Sequence, residues 1–164
     1  MAALRYATLL ALAVWIGGLV ALGAVAAPAI FHVVADRGVP AGRTLSGAIF
    51  GDVLRRFHLV GYACGAWILV ALFARAVLGP RPRRFALRLG ITAAMLGATL
   101  YSGVILSADI ARVQQQIGEG ISASSLPPGD PRRAEFDRLH SRSTLLHFVP
   151  LAGGLMLLLW EMND

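Results

Sequence analysis

Four histidines are the residues of this sequence whose side chains are best suited to chemistry. They are His32, His58, His140 and His147. Neutral imidazole is the commonest metal ligand in proteins, and imidazoles from different helices can converge on one ion or one haem iron. All four are therefore candidate metal ligands, and His58 and His140 are the preferred pair for a cofactor, either haem or a transition metal. The competing interpretation is that they point to water or hydrogen-bond to backbone carbonyls.

The spacing of the histidines limits how they could act together. His140 and His147 are seven residues apart, which places them on one face of a helix but about 10 Å apart along its axis. A single ion cannot bridge that distance, so a site would pair one of them with His58 or His32. No His-x-x-x-His or Glu-x-x-His spacing adds a further ligand, and Cys64 is the only cysteine. Both interpretations of the histidines remain open.

The histidines lie near the ends of four apolar segments. Hydrophobic residues make up 57% of the chain and charged residues 15%, whereas soluble domains are about 25% charged. Apolar segments of about 18 residues or more are candidate membrane-spanning helices, because lipid cannot satisfy backbone N–H and C=O groups. No Asp, Glu, Lys or Arg occurs in residues 6–35, 57–74, 89–108 and 143–160. The sequence predicts an all-α integral membrane protein, one domain over residues 1–164, with spans at about 8–32, 57–78, 87–108 and 143–161.

Four spans place both termini on one side of the membrane and all four histidines at the opposite end of the bundle. The short segment 75–88 has five arginines and no acidic residue, whereas the two longer segments 33–56 and 109–142 carry both charges. Dense positive charge in short loops is typical of the cytoplasmic side. We therefore expect a multi-pass protein of the bacterial inner membrane with cytoplasmic termini.

The second long segment is predicted to contain structure. Residues 110–117 continue the third helix, and Asp130-Pro131 resembles an N-cap followed by proline at the first helical position. The third and fourth helices of the four-helix bundle should therefore extend into a hairpin above the outer face.

The lipid bilayer is the predicted partner, and a second copy of the chain or another membrane protein is a further candidate. The small residues Gly61 and Gly65 form a GxxxG pattern, which permits close helix contact either within the bundle or between copies. The first interpretation is favoured. The positive charge flanks the spans, which indicates topology and lipid contact rather than nucleic-acid binding.

Sequence patterns typical of enzymes are missing. The chain has no Gly-rich phosphate loop, no Gly-x-Ser-x-Gly and no carboxylate pair within the spans. Tyr62 and Tyr101 are interpreted as packing residues with satisfied hydroxyls. Trp15 and Trp67 are predicted to be core residues because they lie deep within their spans. A non-enzymatic protein is therefore expected.

Short motifs along most of the chain resemble a known family. They are Trp15-Ile-Gly-Gly18, Ala27-Pro28-Ala-Ile-Phe31, Gly47-Ala-Ile-Phe50 and Phe136-Asp-Arg-Leu-His140-Ser-Arg-Ser143. This order resembles the four-helix membrane family named after transmembrane protein 205, whose bacterial branch is called domain of unknown function 4149. The matching positions are Trp15, Pro28, Phe31, Phe50, Phe136, His140 and Ser143. Family members usually have an asparagine shortly after that serine, where this chain has Leu146-His147.

The resemblance implies no settled activity, although the animal member is associated with resistance to platinum drugs. Two functions are therefore expected from the sequence. The first is a small non-enzymatic inner-membrane protein, acting as a scaffold, an accessory subunit or a component of metal or stress tolerance. The alternative is a haem- or copper-binding redox or transport factor that uses the clustered histidines.

Overall fold

The computed structural model describes residues 2–79 and 81–163, and nearly all of them are helical. Four helices are long and apolar enough to cross a membrane, as predicted, and no strand occurs in the described part of the chain. At 1.5 Å per residue each is about 50 Å long, whereas the hydrocarbon core of a bilayer is about 30 Å thick. The helices are α1 (Ala2–Asp36), α2 (Gly42–Leu78), α3 (Phe85–Ile117) and α4 (Pro131–Asn163).

The four helices run alternately up and down. Helix α1 packs against α2 and α4, and α3 packs against the same two helices from the other side. We call the end that holds the start of α1 and the end of α4 the terminal end, and the opposite end the distal end. Residues 37–41 and 118–130 connect the helices at the distal end, and residues 79–84 connect α2 to α3 at the terminal end.

The distal segments are more helical than the sequence indicated. Residues 33–56 were expected to form a loop, but α1 continues to Asp36 and α2 begins at Gly42. Charged residues outside an apolar span can still be helical when they pair along the helix, as Asp52 does with Arg55 and Arg56. All four helices therefore extend distally, and the hairpin of α3 and α4 above an outer membrane surface stays a prediction.

The core of the bundle is centred on Trp15. This side chain is 1% exposed and packs with Leu12, Ile68 and Met95. A Cβ atom at Gly61 would lie 3.0 Å from Nε1 of Trp15, and one at Gly65 would lie 2.8 Å from Leu96. The GxxxG pattern therefore serves packing within the bundle, because its two glycines make room for side chains of neighbouring helices.

The outside of the bundle is largely apolar along the helices. Large hydrophobic side chains such as Leu59, Val70 and Val77 are exposed along their helices. Trp67 belongs to this surface, with 40% of its area exposed, so its prediction as a core residue is wrong. It lies two residues after the core-facing Gly65, which turns it to the opposite side of the helix.

Two π-helical segments interrupt the regular helices. The first, Leu22–Ala26, precedes Pro28, and here the N–H of Ala27 donates to the carbonyl of Leu22. Proline cannot donate to the carbonyl four residues earlier and its ring crowds that carbonyl, so a widened turn accommodates it. The second, Tyr101–Leu106, contains Gly103 and lies beside Tyr62 and the candidate residue His58. Single-turn widenings of this kind occur frequently at functional sites.

Candidate functional site

The distal half of the bundle interior brings two of the four histidines together. His58 on α2 and His147 on α4 have ring centroids 5.9 Å apart, with ring planes inclined by 25°. Tyr62 lies one turn after His58, and its ring is nearly parallel to the imidazole at 6.3 Å. The chain thus forms a polar cluster of His58, Tyr62 and His147 inside an apolar bundle.

Backbone hydrogen bonding fixes the tautomer of neutral His147. Its Nδ1 lies 2.6 Å from the carbonyl oxygen of Ser143. A carbonyl can only accept, so Nδ1 carries the proton and Nε2 of the neutral ring has a free lone pair. That Nε2 is buried without a hydrogen-bond partner, and so is Nε2 of His58. Two buried imidazole nitrogens without partners at one place are uncommon, because desolvation of such groups costs free energy.

Gly103 shapes the cluster from α3. A Cβ atom at this position would lie 2.3 Å from the hydroxyl of Tyr62 and 2.9 Å from the ring of His58. Only a glycine lets the π-helical turn of α3 approach so closely. One residue earlier, the hydroxyl of Ser102 lies 3.3 Å from that of Ser143, which links α3 to α4 beside His147.

A small cavity of about 10 Å³ adjoins the cluster. The residues around it include Trp15, Phe57, His58, His147 and Pro150, and the surface it exposes is apolar. Binding pockets for drug-sized ligands and cofactors have volumes of roughly 300–1,000 Å³. The cavity therefore has no room for haem in this arrangement of the helices.

The other two histidines lie apart from this cluster. His32 is exposed on α1 and pairs with Asp36 at 3.2 Å. His140, the preferred partner of His58 in the sequence analysis, is exposed and stacks on Phe136 at 6.0 Å. The structure pairs His58 with His147 instead, because His147 lies about two helical turns further into the bundle. The described residues hold no group of three or more His, Cys, Asp or Glu that could bind a metal.

The residues of the family motifs have different surroundings. Trp15 is in the core, and Ser143 accepts the hydrogen bond of His147. Phe50 and Phe136 are half-buried. Pro28 and Phe31 are exposed on α1 after the first π-helical segment.

A second polar cluster, at the terminal end, was not predicted from the sequence. Arg75 Nη1 donates to both carboxylate oxygens of Glu161, at 2.8 and 2.9 Å. Arg88 Nη1 also donates to Oε1 of Glu161. The side chains of Arg88 and Glu161 are only 2% and 3% exposed. This cluster joins α2, α3 and α4. The sequence feature that could have indicated it is one acidic residue directly after an apolar span, at the same end of the bundle as the arginines.

Trp160 and a run of arginines surround this second cluster. The guanidinium of Arg84 lies 5.2 Å from the Trp160 ring centroid, and that of Arg88 lies 6.0 Å from it. Arg81 lies over the ring of Phe85 at 5.8 Å. Arginines over aromatic faces gain cation–π attraction, and tryptophan is common at membrane interfaces. We call Arg75, Arg81, Arg83, Arg84, Arg88 and Trp160 the arginine collar.

The fold and both clusters define a class of protein, a helical bundle with four candidate membrane spans that indicate a multi-pass membrane protein. Residues 10–119 match the model of the family described as domain of unknown function (DUF4149), and the chain belongs to that family. Comparison with curated proteins and with solved structures gave no match. The matched region includes His58, Gly103 and Arg88, whereas His147 and Glu161 lie on α4 beyond it.

Proposed function

We propose that this chain is a small non-enzymatic protein of the bacterial inner membrane that serves as a scaffold, an accessory subunit or a component of metal or stress tolerance. The observation that carries the proposal is the contrast between a closed interior and an apolar exterior. The cavity beside His58 and His147 is about 10 Å³, and the buried carboxylate of Glu161 is engaged by two arginines. The exterior offers long apolar helix faces for lipid and for neighbouring membrane proteins.

A likeness to the wider family named after transmembrane protein 205 is part of this proposal. It is supported by Phe136, His140 and Ser143, which lie beyond the matched residues 10–119. The side chain of Ser143 joins α3 to α4. Phe136 packs against a buried apolar cluster that includes Val113 and Leu139. These contacts favour a structural role for the motif.

Photocrosslinking in living cells tests the proposal. A photoreactive amino acid is placed at one outward position on each helix, and at the buried Ile68 and Leu72 as controls. The outward positions are Val14, Val70, Val104 and Leu155. A scaffold or accessory subunit should give a discrete protein adduct from one face of the bundle, and the buried controls should give none. Adducts with lipid alone from all four outward positions would contradict the proposed role.

Metal binding at His58 and His147 is a second candidate function. It is supported by the two buried Nε2 atoms that lack hydrogen-bond partners. Imidazole is a suitable ligand for copper and zinc. Two neutral histidines would not neutralise the charge of a bound ion in an apolar site, so a monovalent copper ion is favoured over a divalent ion. Elemental analysis of the detergent-purified protein should then find nearly one copper per chain, and His147→Ala but not His32→Ala should remove it. A metal-free protein after copper loading would contradict this candidate.

A further inference from the structure

The two ends of the bundle differ in their ratio of arginines to acidic residues. At the distal end five carboxylates pair with arginines that are close to them in the sequence, for example Asp52 with Arg55 and Asp109 with Arg112. At the terminal end six of the 15 arginines are present, and Glu161 is the only acidic residue that the structure describes there. Arginines are therefore concentrated at the terminal end, whereas the described residues there include one carboxylate.

The arginine collar has a buried part and an exposed part. Arg75 and Arg88 share the buried carboxylate of Glu161 beneath the surface. Arg81, Arg83 and Arg84 add three exposed guanidinium groups on the adjoining connection. A positive field of this kind attracts anions, and guanidinium groups bind phosphate oxygens through paired hydrogen bonds.

Apolar side chains directly beside the collar indicate what kind of anion would bind. Val77 and Leu78 at the end of α2 are 82% and 71% exposed. Leu87 on α3 and Leu159 on α4 are also exposed, within a turn of Arg88 and Trp160 respectively. A molecule that contacts both sets of residues needs an anionic group, such as a phosphate, next to a hydrocarbon chain.

We propose that the arginine collar binds the headgroup of an anionic phospholipid, whose acyl chains lie along the exposed apolar side chains of α2, α3 and α4. Arg81, Arg83 and Arg84 bind the phosphate, and the ring of Trp160 holds Arg84 at the level of the headgroups. Arg75, Arg88 and Glu161 brace the three helices beneath. Basic sites between membrane helices bind anionic lipids in this manner. This inference rests on the proposed insertion of the bundle into a membrane.

Native mass spectrometry of the purified protein with phosphatidylglycerol or phosphatidylcholine tests the inference. Phosphatidylglycerol should bind more tightly, and each of Arg81→Gln, Arg83→Gln and Arg84→Gln should weaken it roughly fivefold. The triple variant should lose on the order of a hundredfold. The matched control is the distal triple variant Arg55→Gln, Arg56→Gln and Arg112→Gln, which should bind as the wild type does.

Three results would overturn the inference. They are equal binding of the two lipids, equal losses in the collar and control variants, and displacement of phosphatidylglycerol by millimolar inorganic phosphate, which would indicate a simple anion site. Carbonate extraction of membranes is done first. A chain released by carbonate is not integral, so the proposed function fails, whereas an integral chain without lipid preference contradicts only this inference.

Discussion

Glu161 holds two guanidinium groups inside the bundle, so its charge should matter more than its size. Glu161→Gln keeps the volume and leaves Arg75 and Arg88 without the shared carboxylate. Breaking a buried ion pair by removing one partner costs about 3–5 kcal/mol. We therefore expect a strongly reduced melting temperature in detergent and a loss of that size in chemical unfolding.

Asp52→Asn is the matched control for Glu161→Gln. Asp52 also pairs with two arginines, but this group lies on the distal surface where water screens the charges. Its melting temperature should equal that of the wild type. If Glu161→Gln were equally harmless, the buried cluster would not stabilise the contact among α2, α3 and α4.

Substitution of His58 tests whether the cluster of His58, Tyr62 and His147 stabilises the folded protein. Its buried Nε2 has no hydrogen-bond partner, and replacing an unsatisfied polar group by an apolar one of similar size is nearly neutral or stabilising. His58→Leu should therefore keep or raise the melting temperature. In His147→Leu the bond to Ser143 is lost as well, at a cost of about 1 kcal/mol.

The exposed His140 is the control for these two variants. Its ring contacts Phe136 at the distal surface, so His140→Ala should leave the melting temperature unchanged. A large decrease in His58→Leu would mean that its imidazole makes a stabilising contact. An unchanged or more stable His58→Leu would leave a role other than stability as the reason for a histidine at this position.

At the level of the elements, the start of α4 should respond to pH. Hydrogen bonds from the Arg132 side chain and backbone N–H lower the pKa of Asp130 from 3.8 to about 2. A lowered pKa in the folded state means that the ionised form stabilises the fold above pH 3.8, and that this contribution is lost as the pH falls towards 2. Protection of the amides in the first turn of α4 against hydrogen exchange, relative to an unstructured peptide at the same pH, should decrease across that range. Asp130→Asn should remove the dependence, and an unchanged profile in this variant would refute the assignment.

A second prediction at the level of the elements concerns Gly103 on α3. In Gly103→Ala the new methyl group meets the Tyr62 hydroxyl and the His58 ring, and overpacking of this kind costs about 1–3 kcal/mol. Gly97, on the same helix, has no atom near the position of a Cβ, so Gly97→Ala should be neutral or stabilising by up to about 1 kcal/mol. Melting temperatures of the two variants provide the comparison. Equal effects would mean that α3 does not need a close approach at Gly103.

The sequence predicted the elements better than the contacts between them. Uninterrupted apolar segments indicated four long helices, because backbone groups in lipid must be satisfied internally. Trp15 could be placed in the core, but Trp67 could not be placed outside it, since lipid-facing and core-facing residues are equally apolar. The pairing of His58 with His147 rather than His140 depends on helix rotation and on the π-helical turn at Gly103, neither of which hydrophobicity specifies.

The two clusters differ in how visible they were in the sequence. Alternating spans placed all four histidines at one end, which made a distal cluster a reasonable hypothesis. Predicting the ion cluster at the terminal end would have required knowing that Arg75, Arg88 and Glu161 face inwards. Each lies at the border of an apolar segment, where charges usually contact water. Inward orientation follows from packing among three helices and was not predictable from any one of them.

For the molecule as a whole, the last prediction concerns orientation in the membrane and follows from the unequal charge of the two ends. The short segment 75–88 at the terminal end has five arginines and no acidic residue, which is typical of the cytoplasmic side, so Ser125 at the distal end should face outwards. In a Cys64→Ala background, a cysteine at Ser125 should react with a membrane-impermeant thiol reagent in intact cells, and one at Gly79 should react only after the membrane is opened. Ser125 suits the test better than Gly120, whose φ of +75° disfavours a side chain. Labelling of Gly79→Cys in intact cells would reverse the orientation and place the arginine collar on the outer surface.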